Sequence, residues 1–311
     1  MQKKIFLLLT MLCMLLAVGC GQHATDKQSH GKLTVGIMPD VDSLPLVVAL
    51  DKGYFAEEGL EADIQLYKSA MERDSALQSG NLDGAVSDLL AVTFAKSGGF
   101  DVKATSFTDG SYRLVAGKAA GSDLASLKGQ DVAVSRNTII EFVTDAVLAK
   151  ADLKEDFINK VIIPQIPTRL EMLQNGKLAA ATLPEPMASI AIYSGGHYVT
   201  GSDNIGLNPG VIIFTGQALK EKNDSIGAFY RAYNRAVKYL NQAPKEEYMD
   251  LAVEKCGFPP LAKEAMEPLV YHEATPPKED DVAACVKWLN DKGLVTATYA
   301  YGDLVADLPN K

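Results

Sequence analysis

Acidic, basic and hydroxyl side chains recur in this sequence beside the ends of short β-rich runs. Asp42 and Ser43 follow the run 33–38, Ser69 and Arg73 follow 62–67, and Asp88 follows 84–87. Ser135, Arg136, Asn137 and Thr138 close the run 131–135, with Glu141 one turn further on, and Glu185 follows 179–183. In open α/β sheets the C-terminal strand ends face the crevice where ligands bind. Arg73 and Arg136 suit a carboxylate or sulfonate, which a guanidinium meets with two parallel hydrogen bonds. The helix starts at Ser69 and Thr138 expose N–H groups that favour an anion, whereas Glu141 suits a ligand ammonium. Each residue also has a structural reading. Asp42, Ser43, Ser69, Asp88, Asn137 and Thr138 are good helix caps, worth about 1 kcal/mol apiece, and Glu185 before Pro186 suits a helix start. Arg73 has Glu72 and Asp74 beside it, Arg136 suits a solvated loop, and Glu141 favours the positive end of a helix. Tyr112 and Phe142 are further candidates to line the crevice.

The elements that would position these residues alternate in type. Strands are expected at 33–38, 62–67, 84–87 and 102–106, with helices at 44–52, 71–79 and 89–97, the βαβα order of a mostly parallel sheet. The same grammar restarts with strands at 131–135, 161–163 and 179–183 and helices at 138–151 and 168–175. Sliding the chain by 96 residues aligns Arg73 with Arg169, Leu77 with Leu173, Gln78 with Gln174, Gly80 with Gly176, Leu82 with Leu178 and Ala85 with Ala181. Glycine after a helix is expected from capping, but capping does not account for the arginine and glutamine. Two lobes of related build are therefore expected, 33–110 with 210–311 as the first and 111–209 as the second. The β-rich runs 111–117 and 210–215 flank the second lobe and are the candidate hinge passages. Helices at 225–241, 245–256 and 280–292 follow, the last with Trp288, and are expected to pack on the first lobe.

The N-terminus reads as an address. Lys3 and Lys4 precede an apolar run over 5–18, shorter than the roughly 20 residues a spanning helix needs, so 1–19 is expected to be a signal peptide. The run stops at Ala17-Val18-Gly19-Cys20. Small residues before a cysteine are what a lipoprotein signal peptidase requires, and this segment resembles a bacterial lipobox. Cys20 would carry acyl chains, palmitate among them, each buried CH₂ contributing about 0.8 kcal/mol to membrane anchoring. Residues 20–32 then form a lipidated tether, and the remainder lies outside the cytoplasm. Cys256 and Cys285 are left as an even pair in an oxidising compartment, which points to a disulfide or, alternatively, to two buried thiols.

Composition and missing motifs exclude much else. The chain has 311 residues, 47% apolar and 22% charged, in the globular range. Its net charge of -9 opposes non-specific nucleic-acid binding, which needs a cationic surface. There is no G-x-x-x-x-G-K-[ST] loop to hold ATP and no G-x-S-x-G elbow. His272-Glu273 opens like a zinc-protease motif, but Pro276 stands where its second histidine should be. The four histidines include His23 and His30 in the tether, so no metal site and no cofactor is expected.

Together these features resemble a solute-binding lipoprotein of an ABC transporter, more narrowly the nitrate/sulfonate/taurine and thiamine-precursor binding family. The segments that carry the resemblance are Val35-Gly36-Ile37, Asp42-Ser43-Leu44-Pro45-Leu46, Lys52-Gly53-Tyr54-Phe55, Glu58-Gly59-Leu60, Leu77-Gln78-Ser79-Gly80, Leu82-Asp83-Gly84, Leu127-Lys128-Gly129 and Leu183-Pro184-Glu185-Pro186, in that order. The resemblance implies an α/β fold of the two-lobed periplasmic-binding (type II) kind, hinged between lobes. It implies ligand contacts at Asp42, Ser43, the turn from Ser69 to Arg73, Asp88, the helix start from Ser135 to Thr138, and Glu185. The partners would be a small anionic or zwitterionic solute, a permease and an ATPase, with the chain itself a monomer. Two other readings share the fold. One is an enzyme like those making a thiamine pyrimidine, which the resemblance ties to a cysteine-rich iron site and a reactive histidine. The other is a ligand-sensing partner of a membrane receptor.

Overall fold

Short apolar runs assemble into two five-stranded sheets in the computed structural model, which describes residues 29–309. In chain order the strands are β1 (Gly31–Ile37), β2 (Leu60–Leu66), β3 (Gly84–Asp88), β4 (Val102–Phe107) and β5 (Tyr112–Ala116). They continue with β6 (Asp131–Val134), β7 (Asn159–Ile162), β8 (Ala180–Pro184), β9 (His197–Gly201) and β10 (Gly210–Thr215). The first sheet has the order β2-β1-β3-β10-β4 and the second β7-β6-β8-β5-β9. β1 is parallel to β2 and β3, and β6 is parallel to β7 and β8. β10 runs antiparallel between β3 and β4, as β5 does between β8 and β9. The two sheets thus share one plan, as the 96-residue repeat anticipates.

The runs 111–117 and 210–215 are each embedded in one sheet. β5 belongs to the second and β10 to the first, so the chain crosses beside them, at 108–111 and 206–209. Burial explains this placement. Leu114, Val115 and Ala116 are buried, as are Val211, Ile212, Ile213 and Phe214, and a strand buried on both faces belongs in mid-sheet. β9 was not anticipated, because His197-Tyr198-Val199-Thr200-Gly201 carries little apolar pattern.

Side chains alternate across these strands and feed two core layers, each running through both sheets. Ile212 and Phe214 enter one layer with Ala181 and Leu183, and Val211 and Ile213 enter the other with Val132 and Val134. The helix Asn223–Leu240 covers the first layer, packing on the helix Leu44–Asp51 and on β1 and β2. Its Phe229 stacks on Phe55 and meets Phe214 edge-on. The helix Glu279–Asp291 packs on the helix Leu89–Ser97. Gly80 and Gly176, equivalent in the repeat, end their helices at φ of 78° and 65°, which only glycine adopts without strain.

Two expectations need correction and two lie elsewhere. Cys256 and Cys285 are free and buried, one in each core layer, so no disulfide joins them. Both sit at or in helices whose apolar faces need a small filler, and a buried thiol serves. β1 begins at Gly31, two residues before the run expected from 33. The expected signal peptide and the expected lipidation site, Cys20, lie outside the described residues. Among those described, no helix is long and apolar enough to cross a membrane.

Candidate functional site

The strand ends of the two sheets face each other across a cavity of about 30 Å³. Met38 follows β1, Asp88 ends β3, Ser135 follows β6, Pro164 follows β7 and Pro184 ends β8, and all five line it. Hydrogen bonds join the two halves around the rim. Val41 N–H donates to Glu185 O at 3.0 Å, Tyr112 Oη to Asp42 Oδ2 at 2.8 Å, and Ile166 N–H to Lys68 O at 3.3 Å.

Asp42, Arg73, Asp88, Tyr112, Ser135 and Thr138, anticipated from the sequence, all line this cavity. The remaining candidates do not. Ser43 is buried behind the loop, donating to Asp40 Oδ1 at 3.0 Å and accepting from Met38 N–H. Ser69 caps the helix Ala70–Gln78 by accepting from Glu72 N–H. Arg136 is exposed to solvent, outside the lining. Asn137, at φ 58°, donates its N–H to Glu141 Oε2 at 2.7 Å. Glu141 is also held by Lys160 at 3.1 Å and Lys292 at 3.4 Å, so it has no claim on a ligand ammonium. Burial opposes its ionisation, but the Asn137 N–H and the two lysines outweigh that and hold its carboxyl below the usual range. Glu185 lies 2.6 Å from Arg113 and accepts from Ser189 N–H at 3.0 Å. Phe142 packs edge-on against Trp288 instead.

The first half supplies an acidic wall. Asp40, Asp42 and Asp88 are all buried and all reach the cavity. One oxygen of each is committed: Asp40 to the Ser43 hydroxyl, Asp42 to Tyr112, and Asp88 to Ala91 N–H at 2.8 Å. Asp42 Oδ1 is buried with no hydrogen-bond partner. Burial raises all three carboxyls above their ordinary range, Asp42 to about 6. The Asp42 charge adds to the rise at Asp40, while Arg73 acts against it at Asp88.

The two arginines of the repeat occupy equivalent places and differ in one respect. Arg73 and Arg169 are each the fourth residue of a helix, Ala70–Gln78 and Ile166–Gln174, and each is 1% exposed. Arg73 is neutralised. Its Nε donates to Asp74 Oδ1 at 2.8 Å, Nη2 lies 2.7 Å from the same oxygen, and Nη1 donates to Val86 O at 3.1 Å. Arg169 Nη1 donates to the carbonyls of Ile163 and Pro164 at 2.9 and 3.0 Å, but its Nε and Nη2 have no partner. No charged group offsets its desolvation, and burial alone pushes it down to about 9. The difference lies in the sequence: 96 residues after Asp74 stands Leu170, and 96 after Asp88 stands Pro184. A lone buried cation is costly unless something of opposite charge meets it.

A family model described as NMT1/THI5-like matches residues 40–247, more than half of the chain. The chain belongs to the NMT1/THI5-like family. Among curated proteins no match was found. Three solved structures show the fold this family member shares. One is a ligand-binding component of an ABC-type import system from Staphylococcus aureus with zinc bound, 14% identical, TM-score 0.76, covering 89% of this chain and 97% of that one. Another is the alkanesulfonate-binding protein SsuA from Xanthomonas axonopodis pv. citri bound to MOPS, 16% identical, TM-score 0.74, covering 89% and 98%. The third is the periplasmic nitrate-binding protein NrtA from Synechocystis PCC 6803, 15% identical, TM-score 0.65, covering 80% and 74%. The two-lobed periplasmic-binding fold expected from the sequence is the fold observed.

Within this family member's cavity, the residues the site reading missed are Asp40, Ser87 and above all Arg169. The signal for Arg169 was present, since the repeat set it opposite Arg73. Among the described residues, no group of three or more His, Cys, Asp or Glu is placed to hold a metal ion, despite the three aspartates.

Proposed function

We propose that this protein is the extracytoplasmic solute-binding component of an ABC importer, anchored through a lipidated Cys20. It captures a small anionic or zwitterionic solute between its lobes and delivers it to a permease served by an ATPase. The observation that carries this reading is Arg169, a buried cation with two unpartnered donors that lines a cavity at the meeting of two sheets. Family membership and the fold shared with binding proteins of import systems support it. Two sheets joined by two chain crossings suit this role, because a ligand that binds a closed arrangement more tightly shifts the population towards it.

We read the protein as a binder rather than a catalyst, and as a monomer. Cys256 and Cys285 are buried, with thiols that burial pushes well above their ordinary range, so neither is a ready nucleophile or iron ligand. A thermal-shift screen of the full chain in detergent, over sulfonates, nitrate, amino acids, pyrimidines, short carboxylates and metal ions, tests the reading. A ligand at 100 times its Kd adds about 2.7 kcal/mol, a shift of several degrees. A flat screen, together with no co-purifying small molecule in the denatured extract, would refute it.

A further inference from the structure

The charges around the cavity are sorted by side. Asp40, Asp42 and Asp88 come from the first half, whose cavity-lining guanidinium, Arg73, already answers to Asp74. Arg169 comes from the second half and has no carboxylate against it. Between these walls lie a partnerless carboxylate oxygen, Asp42 Oδ1, a partnerless hydroxyl, Ser87 Oγ, and the free Nε and Nη2 of Arg169. Val86, Ile139, Ile140 and Ile166 make up much of the remaining wall, with Tyr112, Ser135 and Thr138 among them.

Resting on the solute-binding reading, we propose that the ligand is a small zwitterion. Its ammonium faces the aspartates of the first half, and its anionic group meets Arg169 of the second. A simple anion would satisfy Arg169 but leave the acidic wall, with its partnerless Asp42 Oδ1, unanswered. A simple cation would do the reverse and leave the arginine unanswered. A molecule carrying both charges satisfies both walls and draws the halves together. The cavity of about 30 Å³ limits it to a few heavy atoms unless the halves part. Carboxylates and sulfonates are equally able to accept two guanidinium hydrogen bonds, so the anionic group is of either kind.

Isothermal titration of the full chain in detergent at pH 7.5 tests this with matched sets. Glycine, β-alanine and 2-aminoethanesulfonate are the zwitterions. Acetate, propionate and ethanesulfonate lack the ammonium; methylamine and ethylamine lack the anion. One zwitterion should bind at least 100-fold more tightly than either of its single-charge partners, and the carboxylate and sulfonate arms then tell which anion is read. Arg169→Gln should lose that binding by 100-fold or more. Asp42→Asn, which keeps an acceptor for Tyr112, should bring the zwitterion and its anion-only partner within tenfold of each other. Circular dichroism confirms that both variants fold.

Anion-only probes binding as tightly as zwitterions would overturn the proposal, as would unchanged binding in Arg169→Gln. Should none of these probes bind, mass spectrometry of the denatured extract decides. A co-purified zwitterion supports the proposal and a co-purified solute of one charge sign overturns it. The absence of both binding and any co-purified solute overturns the solute-binding reading beneath the proposal.

Discussion

A buried carboxylate makes stability depend on pH in a direction set by its surroundings. Asp42 is raised to about 6 from 3.8, chiefly by burial, with the Tyr112 hydroxyl acting the other way. The folded form therefore holds its proton more tightly than the unfolded chain. The associated stability is complete below pH about 4 and is lost as pH rises through about 6, by at most about 3 kcal/mol. Asp40 and Asp88 shift in the same direction. The midpoint of thermal unfolding should fall between pH 4 and 7, and Asp42→Asn should flatten that fall; an unaltered profile would remove Asp42 as its source. Gly110 bears on the same carboxylate, since a Cβ there would overlap it. Gly110→Ala should cost about 1–3 kcal/mol through forced displacement, read as a lowered denaturant midpoint. At this scale the sequence showed Asp42, Asp88 and Arg73 through their strand-end positions. It did not separate Arg73 from Arg136 and Arg169, because burial and pairing depend on neighbours from other elements.

Two helices from different halves are tied by charge. From the helix Glu279–Asp291 and its C-cap, Trp288 Nε1 donates to Asp145 Oδ2 at 3.1 Å. Lys292 Nζ reaches Asp145 Oδ2 at 3.0 Å and Glu155 Oε2 at 2.6 Å. Asp145 lies on the helix Ile139–Lys150, whose Glu141 is shared between Lys292 and Lys160. This network links an element packed on the first sheet to one packed on the second, and Lys292 is only 19% exposed in its side chain. Lys292→Met should lower stability by about 1–2 kcal/mol, more than an exposed pair contributes, and weaken solute binding severalfold by loosening closure. Calorimetry and titration of the variant would show both, and unchanged values would make the network a surface feature. The two cysteines also belong to their helices. Thiol titration should find Cys256 and Cys285 unreactive in the native protein and both reactive after denaturation, whereas a missing pair of thiols would mean a disulfide.

The whole molecule joins its sheets through shared layers as well as through two crossings. Each core layer draws side chains from both sheets, so the halves should unfold together. Trp288, placed between the halves, reports their contact by fluorescence, while far-UV circular dichroism reports the sheets and helices. Coincident transitions are expected; two separated ones would show that each half holds its own core. The alternation of strands and helices, the repeat and the glycine stops were legible in the sequence because they rest on local backbone geometry and on periodic burial. So were the polar strand ends, since a parallel sheet with following helices turns those ends to one side. The pairing of charges was not. Glu141 looked free until Lys160 and Lys292 closed on it, and Cys256 looked like a partner for Cys285 until folding placed them in different layers. Leu170 at the place matching Asp74 was written in the chain all along. Only the tertiary structure, by burying Arg169 away from every carboxylate, turned that difference into an open cationic site, because the energy of a charge depends on what surrounds it in space.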